Sequence, residues 1–135
     1  MLAAPVRILI ADGSKRWRRF FLSFLEQYPQ FRVIDEATNG LEVVGKSREL
    51  QPDLILLDIV LPKLNGIEAA RLIRDLAPES RILFLSEHQR PELVQAALNA
   101  GGSGYVLKSD AAQELLVALE AVIANKQFIG RRLRV

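Results

Sequence analysis

Residues 53–62 read Asp53-Leu54-Ile55-Leu56-Leu57-Asp58-Ile59-Val60-Leu61-Pro62. The apolar run 54–57 between two acids is too short for a helix, and it lacks the alternation of a strand with one wet face. It fits a strand buried on both faces, as a parallel sheet covered by helices requires. Asp58 then stands at the carboxyl end of a buried strand, where hydration is reduced and a lone carboxylate is costly without a cation beside it.

Four similar runs flank this one, at residues 6–11, 31–36, 82–85 and 105–107, and segments of helical period separate them. The first helix begins near Ser14, a good N-cap, carries Trp17, Phe20, Phe21, Phe24, Leu25 and Tyr28 as a core stripe, and stops at Pro29. The second follows Thr38-Asn39-Gly40 and ends before Pro52. The third is expected to present Ala69, Leu72, Ile73, Leu76 and Ala77 on one face and to end before Pro78. The fourth opens with Pro91 and closes at Gly101-Gly102. The fifth follows Asp110 and Gln113, which read as a loose capping box, and buries Leu115, Leu116, Leu119, Val122 and Ile123.

Five strand–helix units joined by right-handed crossovers make an α/β three-layer sandwich of the flavodoxin-like (βα)5 kind, with sheet order 2-1-3-4-5. The chain of 135 residues, half hydrophobic and a quarter charged, has room for one such domain. We assign residues 1–126 to it and residues 127–135 to a basic C-terminal tail or linker stub.

Composition removes several function classes. With no cysteine, disulfide frameworks, thiolate metal sites and thiol nucleophiles are excluded. A single histidine, His88, leaves no material for a zinc site or a histidine-dependent triad. No apolar run reaches the roughly 20 residues that span a bilayer, and Met1-Leu2-Ala3-Ala4-Pro5 is too short for a signal peptide. The expectation is a cytoplasmic protein without membrane contact. The net charge of +2 is local in origin, since removing Arg131, Arg132 and Arg134 leaves 15 basic against 16 acidic residues. The other basic cluster, Lys15, Arg16, Arg18 and Arg19, reads as the solvated face of a helix, so no nucleic-acid contact by this chain is expected.

In this topology the working site lies outside the carboxyl strand ends, where the strand order reverses between strands 1 and 3. The residues there are Asp12, Asp58, Ser86 and Lys108. A carboxylate nucleophile, a second acid to help hold Mg²⁺, a hydroxyl for one phosphoryl oxygen and a lysine to neutralise another make a phosphoryl-acceptor site. The bland alternative is a structural Asp58–Lys108 ion pair with Ser86 serving a backbone group.

These residues carry a resemblance. Ile8-Leu9-Ile10-Ala11-Asp12, the segment 53–62 with Asn65-Gly66, Leu85-Ser86, and Gly104-Tyr105-Val106-Leu107-Lys108-Ser109 together resemble the CheY-like receiver domain of two-component response regulators, over residues 6 to about 126. The wording around 100–105 is most similar to receivers of NarL/FixJ-like transcription regulators, which normally continue into a helix-turn-helix domain. The resemblance implies that Asp58 accepts a phosphoryl group from a histidine kinase or phosphotransfer protein, and that Asp12, Asp58 and the Val60 backbone carbonyl hold Mg²⁺. It also implies that Ser86 is the switch hydroxyl, Lys108 the phosphate partner, and Tyr105 an aromatic switch whose rotamer follows Ser86. Such a domain is not an enzyme beyond self-catalysed phosphotransfer and dephosphorylation. Val60 and His88 stand where the family tunes access of water to the acyl phosphate.

One departure matters. Where the family has a second adjacent acid, a direct metal ligand, this chain has Gly13. A site with two carboxylates instead of three binds Mg²⁺ more weakly. The alternative is therefore a pseudo-receiver acting as a phosphorylation-independent interaction module. Glu36 and Glu87 are candidates to replace the missing charge. Three other classes remain as readings. Residues 40–47 fit the P-loop pattern letter for letter, though Leu41, Val43 and Val44 are bulky for a phosphate cradle. An FMN carrier shares the topology but lacks hydroxyl residues after the first strand. An interaction module would use helices 4 and 5 around Gln95, Asn99 and Glu120, as a homodimer or with another partner.

Overall fold

The computed structural model describes residues 3–134. The outermost residues of the expected domain and tail, 1, 2 and 135, lie outside the described residues, as does the start of the leader reading. Six strands and five α-helices alternate: β1 (Val6–Ala11), α1 (Lys15–Glu26), β2 (Phe31–Ala37), α2 (Gly40–Leu50), β3 (Leu54–Asp58), α3 (Gly66–Leu76), β4 (Arg81–Ser86), α4 (Pro91–Asn99), β5 (Gly104–Leu107), α5 (Ala111–Ile123) and β6 (Phe128–Ile129). Every pairing is parallel and the sheet order is 2-1-3-4-5-6.

The fully apolar strands are explained by two cores, one on each face. Leu9, Ile55, Leu57 and Phe84 point into one core, with Val43 of α2, Ile73 of α3 and Ala97 of α4. Their neighbours Ile8, Ile10, Leu54, Leu56, Leu83 and Leu85 point into the other, with Phe21 of α1 and Leu115 and Leu119 of α5. Side chains alternate along a strand, so a strand roofed by helices on both sides must be apolar at every position.

Helix starts follow the sequence closely. The side chains of Ser14, Asn39 and Asn65 accept from the backbone N–H of Trp17, Glu42 and Glu68, and Pro91 opens α4. Two expectations are corrected, and the P-loop alternative that the bulky residues already disfavour falls. In α3 the buried face is Gly66, Ile67, Ala69, Ala70 and Ile73, while Leu72 and Leu76 are exposed. Ile67, Ala69, Ala70 and Ile73 join the core that Val43 of α2 and Ala97 of α4 share, and the two leucines fall outside it. Asp110 makes no cap hydrogen bond; its carboxylate instead takes two from the Arg132 guanidinium, at 2.9 and 3.0 Å. The P-loop segment 40–47 is helical from its first residue and forms no phosphate cradle: the Gly40 N–H donates to the Pro62 carbonyl, and the Glu42 and Val43 N–H groups donate to Asn39.

The sixth strand is an addition to the five-strand reading. Phe128 and Ile129 pair with Gly104 and Tyr105, and Arg131–Leu133 form a 3-10 turn. Among the described residues no helix is long and apolar enough to cross a membrane.

Candidate functional site

Parallel registry levels the strand ends. Ala11 sits beside Leu57, Asp58 beside Leu85, and Ser86 beside Leu107. The residue at or just beyond each of these four strands is one the sequence singles out: Asp12, Asp58, Ser86 and Lys108. All four are buried, at 2%, 8%, 0% and 5% exposure.

Three of them touch. Lys108 Nζ lies 2.6 Å from Asp12 Oδ2 and 3.1 Å from Asp58 Oδ2, so one ammonium bridges two carboxylates. Asp12 Oδ1 accepts from the Ser14 N–H at 2.8 Å, and Asp58 Oδ1 accepts from the Val60 N–H at 3.3 Å. Asp12 Oδ2 is ion-paired to the lysine but receives no aligned hydrogen bond. Burial raises the Asp58 pKa from its ordinary value, Lys108 pulls it back down, and the Asp12 charge adds to the rise. The bridging lysine thus offsets part of the cost of keeping Asp58 ionised, the form a nucleophile needs.

Ser86 is in the same layer but engaged differently. Its Oγ accepts from the His88 N–H at 3.0 Å, while the Tyr105 hydroxyl donates to the His88 carbonyl at 2.7 Å. Tyr105 is fully buried beside Phe84, and burial raises its pKa. Ser86 and Tyr105 therefore hold one turn, 86–88, from its two sides.

A cavity of about 660 Å³ opens over the acids, walled by Gly13, Trp17, Val60, Pro62 and His88. Val60 and His88 are exposed at its rim, where the sequence reading put them. Of the two replacement charges, Glu36 is committed to Arg18 at 3.3 Å, whereas Glu87 lines the cavity. The Arg18 guanidinium also donates to the Asp12 carbonyl at 2.8 Å, so one member of the basic cluster braces the site rather than only meeting solvent.

The donor set can hold Mg²⁺. The Asp12 and Asp58 carboxylates and the Val60 carbonyl are hard oxygen ligands, Asp12 Oδ2 has the Lys108 ammonium beside it but no aligned hydrogen bond, and Mg²⁺ keeps several waters in such sites. Among the described residues no group of three acidic, histidine or cysteine side chains gathers anywhere.

Sequence reasoning missed Trp17. It was assigned to the core stripe, and its ring does pack on Phe20 and Phe21, but it also lies 5.1 Å from Lys108 Nζ. The available signal was its position in the first turn of α1, because helical side chains lean toward the N-terminus and so reach over the strand ends.

Comparison with known proteins places this geometry. Residues 8–120 match the family model described as the response regulator receiver domain. The chain is 35% identical over 117 residues to the transcriptional regulatory protein LnrK of Bacillus subtilis (strain 168), covering 87% of this chain and 53% of that protein. It is 33% identical over 129 residues to the nitrate/nitrite response regulator protein NarL of Escherichia coli (strain K12), covering 96% and 60%. The crystal structure of a LuxR-family two-component response regulator from Aurantimonas sp. SI85-9A1 superposes with a TM-score of 0.91 at 34% identity, over 96% of this chain and 93% of that one. The chain spans a little over half the length of the first two relatives.

Proposed function

Because the chain belongs to the response regulator receiver domain family, we propose that it accepts a phosphoryl group on Asp58 and relays that event to a partner or dimer surface. The observation that carries this reading is the Lys108 ammonium held between the Asp12 and Asp58 carboxylates at the floor of an open cavity.

In the proposed step an ionised Asp58 oxygen attacks the phosphorus of a phosphohistidine on a histidine kinase or phosphotransfer protein. The new O–P bond forms as the N–P bond breaks, and the leaving imidazole keeps the bond's electron pair and takes a proton from solvent water. Lys108 neutralises one phosphoryl oxygen, and Ser86 gives up its contact with the His88 N–H to donate to another. Mg²⁺ held by Asp12, Asp58 and the Val60 carbonyl would supply further neutralisation of the phosphoryl charge. The same move frees the 86–88 turn, so Tyr105 loses its fixed acceptor at His88 and the β4–α4 region can change shape.

The remaining readings follow from this one. The domain, residues 1–126 with Phe128–Ile129 added to its sheet, works in the cytoplasm as a phosphoacceptor rather than an enzyme, and the basic stretch after β6 is a tail or linker stub. Helices α4 and α5, with Gln95, Asn99 and Glu120 exposed, are the proposed homodimer or partner face. The intact acceptor, bridging lysine and switch serine favour phosphorylation over the phosphorylation-independent alternative.

Intact-mass spectrometry after incubation with phosphoramidate, with and without Mg²⁺ and beside Asp58→Asn, tests the reading. A single phosphate adduct that needs both Mg²⁺ and Asp58 is expected. No adduct at any Mg²⁺ concentration in the wild type would overturn it.

A further inference from the structure

Four contacts close a ring at the mouth of the site. Asp12 Oδ1 accepts from the Ser14 N–H at 2.8 Å, and Ser14 Oγ accepts from the Trp17 N–H at 3.3 Å. The Trp17 ring centroid lies 5.1 Å from Lys108 Nζ, and Lys108 Nζ returns to Asp12 Oδ2 at 2.6 Å. The indole is held in turn: it stacks on Phe21 at 5.7 Å and 23°, meets Phe20 edge-on at 5.7 Å and 82°, and Phe21 is fully buried.

A residue serving only the core would end its contacts at Phe20 and Phe21. Trp17 is half-buried and forms the wall shared by the acceptor cavity and a second groove beside it, which Arg16, Phe20 and Ser109 also line; Lys108 borders both. Its ring face is presented to a cation within the roughly 6 Å over which the aromatic quadrupole attracts one, and tryptophan offers the strongest such face. Lysine needs this help, since its ammonium rides on a flexible four-carbon stem and loses orientation unless its surroundings fix it.

We infer that Trp17 is a positioning residue for phosphoryl acceptance: its ring face seats the Lys108 ammonium beside Asp58, so that the phosphate partner is in place before the phosphoryl group arrives. The inference rests on the acceptor reading above. It assigns to an aromatic of the first helical turn a role toward Lys108 that a core contact would not have. The seat also operates where Gly13 has removed a charge, leaving Asp12, Asp58 and the indole as the groups that hold the ammonium.

The test compares wild type, Trp17→Phe and Trp17→Leu as full chains, with Trp17→Met in place of the leucine variant if that one fails to fold. Two quantities are read: the proton shifts of the Lys108 ε-methylene, and the rate of adduct formation from phosphoramidate by intact mass. The ring current should hold the Lys108 ε-protons upfield in wild type and Trp17→Phe and release them in the aliphatic variant. Adduct formation should stay within about threefold of wild type in Trp17→Phe and slow by about fivefold or more in the aliphatic variant. Lys108 shifts that are the same in wild type and the aliphatic variant would overturn the inference. So would an aliphatic variant as fast as wild type, or a phenylalanine variant as slow as the aliphatic one. If the wild type forms no adduct, the acceptor reading fails, and the shifts alone decide whether Trp17 seats the lysine.

Discussion

Lys108 stands closer to Asp12, at 2.6 Å, than to Asp58, at 3.1 Å, although Asp58 is the proposed acceptor. One buried cation thus serves two buried carboxylates, and the cluster carries a net negative charge when both are ionised. Burial sets the upward direction of the Asp58 pKa, Lys108 pulls it back and the Asp12 charge adds to the rise.

Neutralising Asp58 should therefore stabilise the metal-free protein. Asp58→Asn leaves a balanced Asp12–Lys108 pair and is expected to add about 1 kcal/mol at neutral pH. The sign follows from linkage. A carboxyl whose folded pKa lies above its unfolded value binds its proton more tightly when folded, so its ionisation costs stability above the folded pKa and costs nothing below the unfolded one. The gap between variant and wild type should open as pH rises through that window and stay constant above it. Urea midpoints from pH 4 to pH 8 check this, and a wild type more stable than the variant at pH 8 would contradict it.

Gly13 is not demanded by the backbone. A Cβ there would meet Pro62 Cδ at 3.4 Å and the Thr38 carbonyl at 3.6 Å, both ordinary contacts, and its φ is not in the left-handed region. Gly13→Asp should fold normally and return a third carboxylate to the cavity. The Mg²⁺ concentration that half-saturates adduct formation is expected to fall by about tenfold or more, given the Coulomb energy of one added charge near a cation. Unchanged Mg²⁺ dependence would show that Gly13 is not what limits the metal.

Gly66 behaves oppositely. A Cβ there would lie 2.1 Å from the Asp58 carbonyl oxygen and 2.8 Å from Ile59 Cα, both backbone atoms that cannot swing aside. Gly66 N–H also donates to the Ile59 carbonyl at 2.7 Å, clamping α3 to the end of β3. Gly66→Ala is expected to cost about 2 kcal/mol or more and to slow adduct formation at Asp58 by displacing the strand end. Thermal denaturation and intact mass on the same samples test both effects.

Tyr105→Phe removes one hydroxyl and keeps the ring. Loss of the hydrogen bond to the His88 carbonyl should cost about 1 kcal/mol and leave that carbonyl without its tyrosine donor. Amide exchange at residues 87–90 should quicken, while β1 and β3 remain protected. Equal protection of the 87–90 turn in both proteins would show that Tyr105 does not hold it.

Much of this was legible in the residues. The run 54–57 could only be a strand roofed on both sides, Ser14, Asn39 and Asn65 marked helix starts by their side-chain oxygens, and Asp12, Asp58, Ser86 and Lys108 fell at strand ends because strand length and topology are local consequences of the pattern. The α3 face departs from the expectation because Leu72 and Leu76 are apolar enough for either side, and only the packing of Ile67, Ala69, Ala70 and Ile73 into the core settles which side is buried. Asp110 was misread as a cap because its partner, Arg132, lies 22 residues away.

By itself, then, the sequence determined the layers, the strand order through β5 and the four chemical groups at one end of the sheet, since periodicity and chirality constrain those without reference to distant contacts. Only the tertiary structure decided that Lys108 bridges Asp12 and Asp58, that Trp17 rather than another carboxylate flanks that lysine, and that Phe128–Ile129 extend the sheet. Each of these depends on the distance between side chains far apart in the chain, and pairing over such separations is set by packing, which no local pattern encodes.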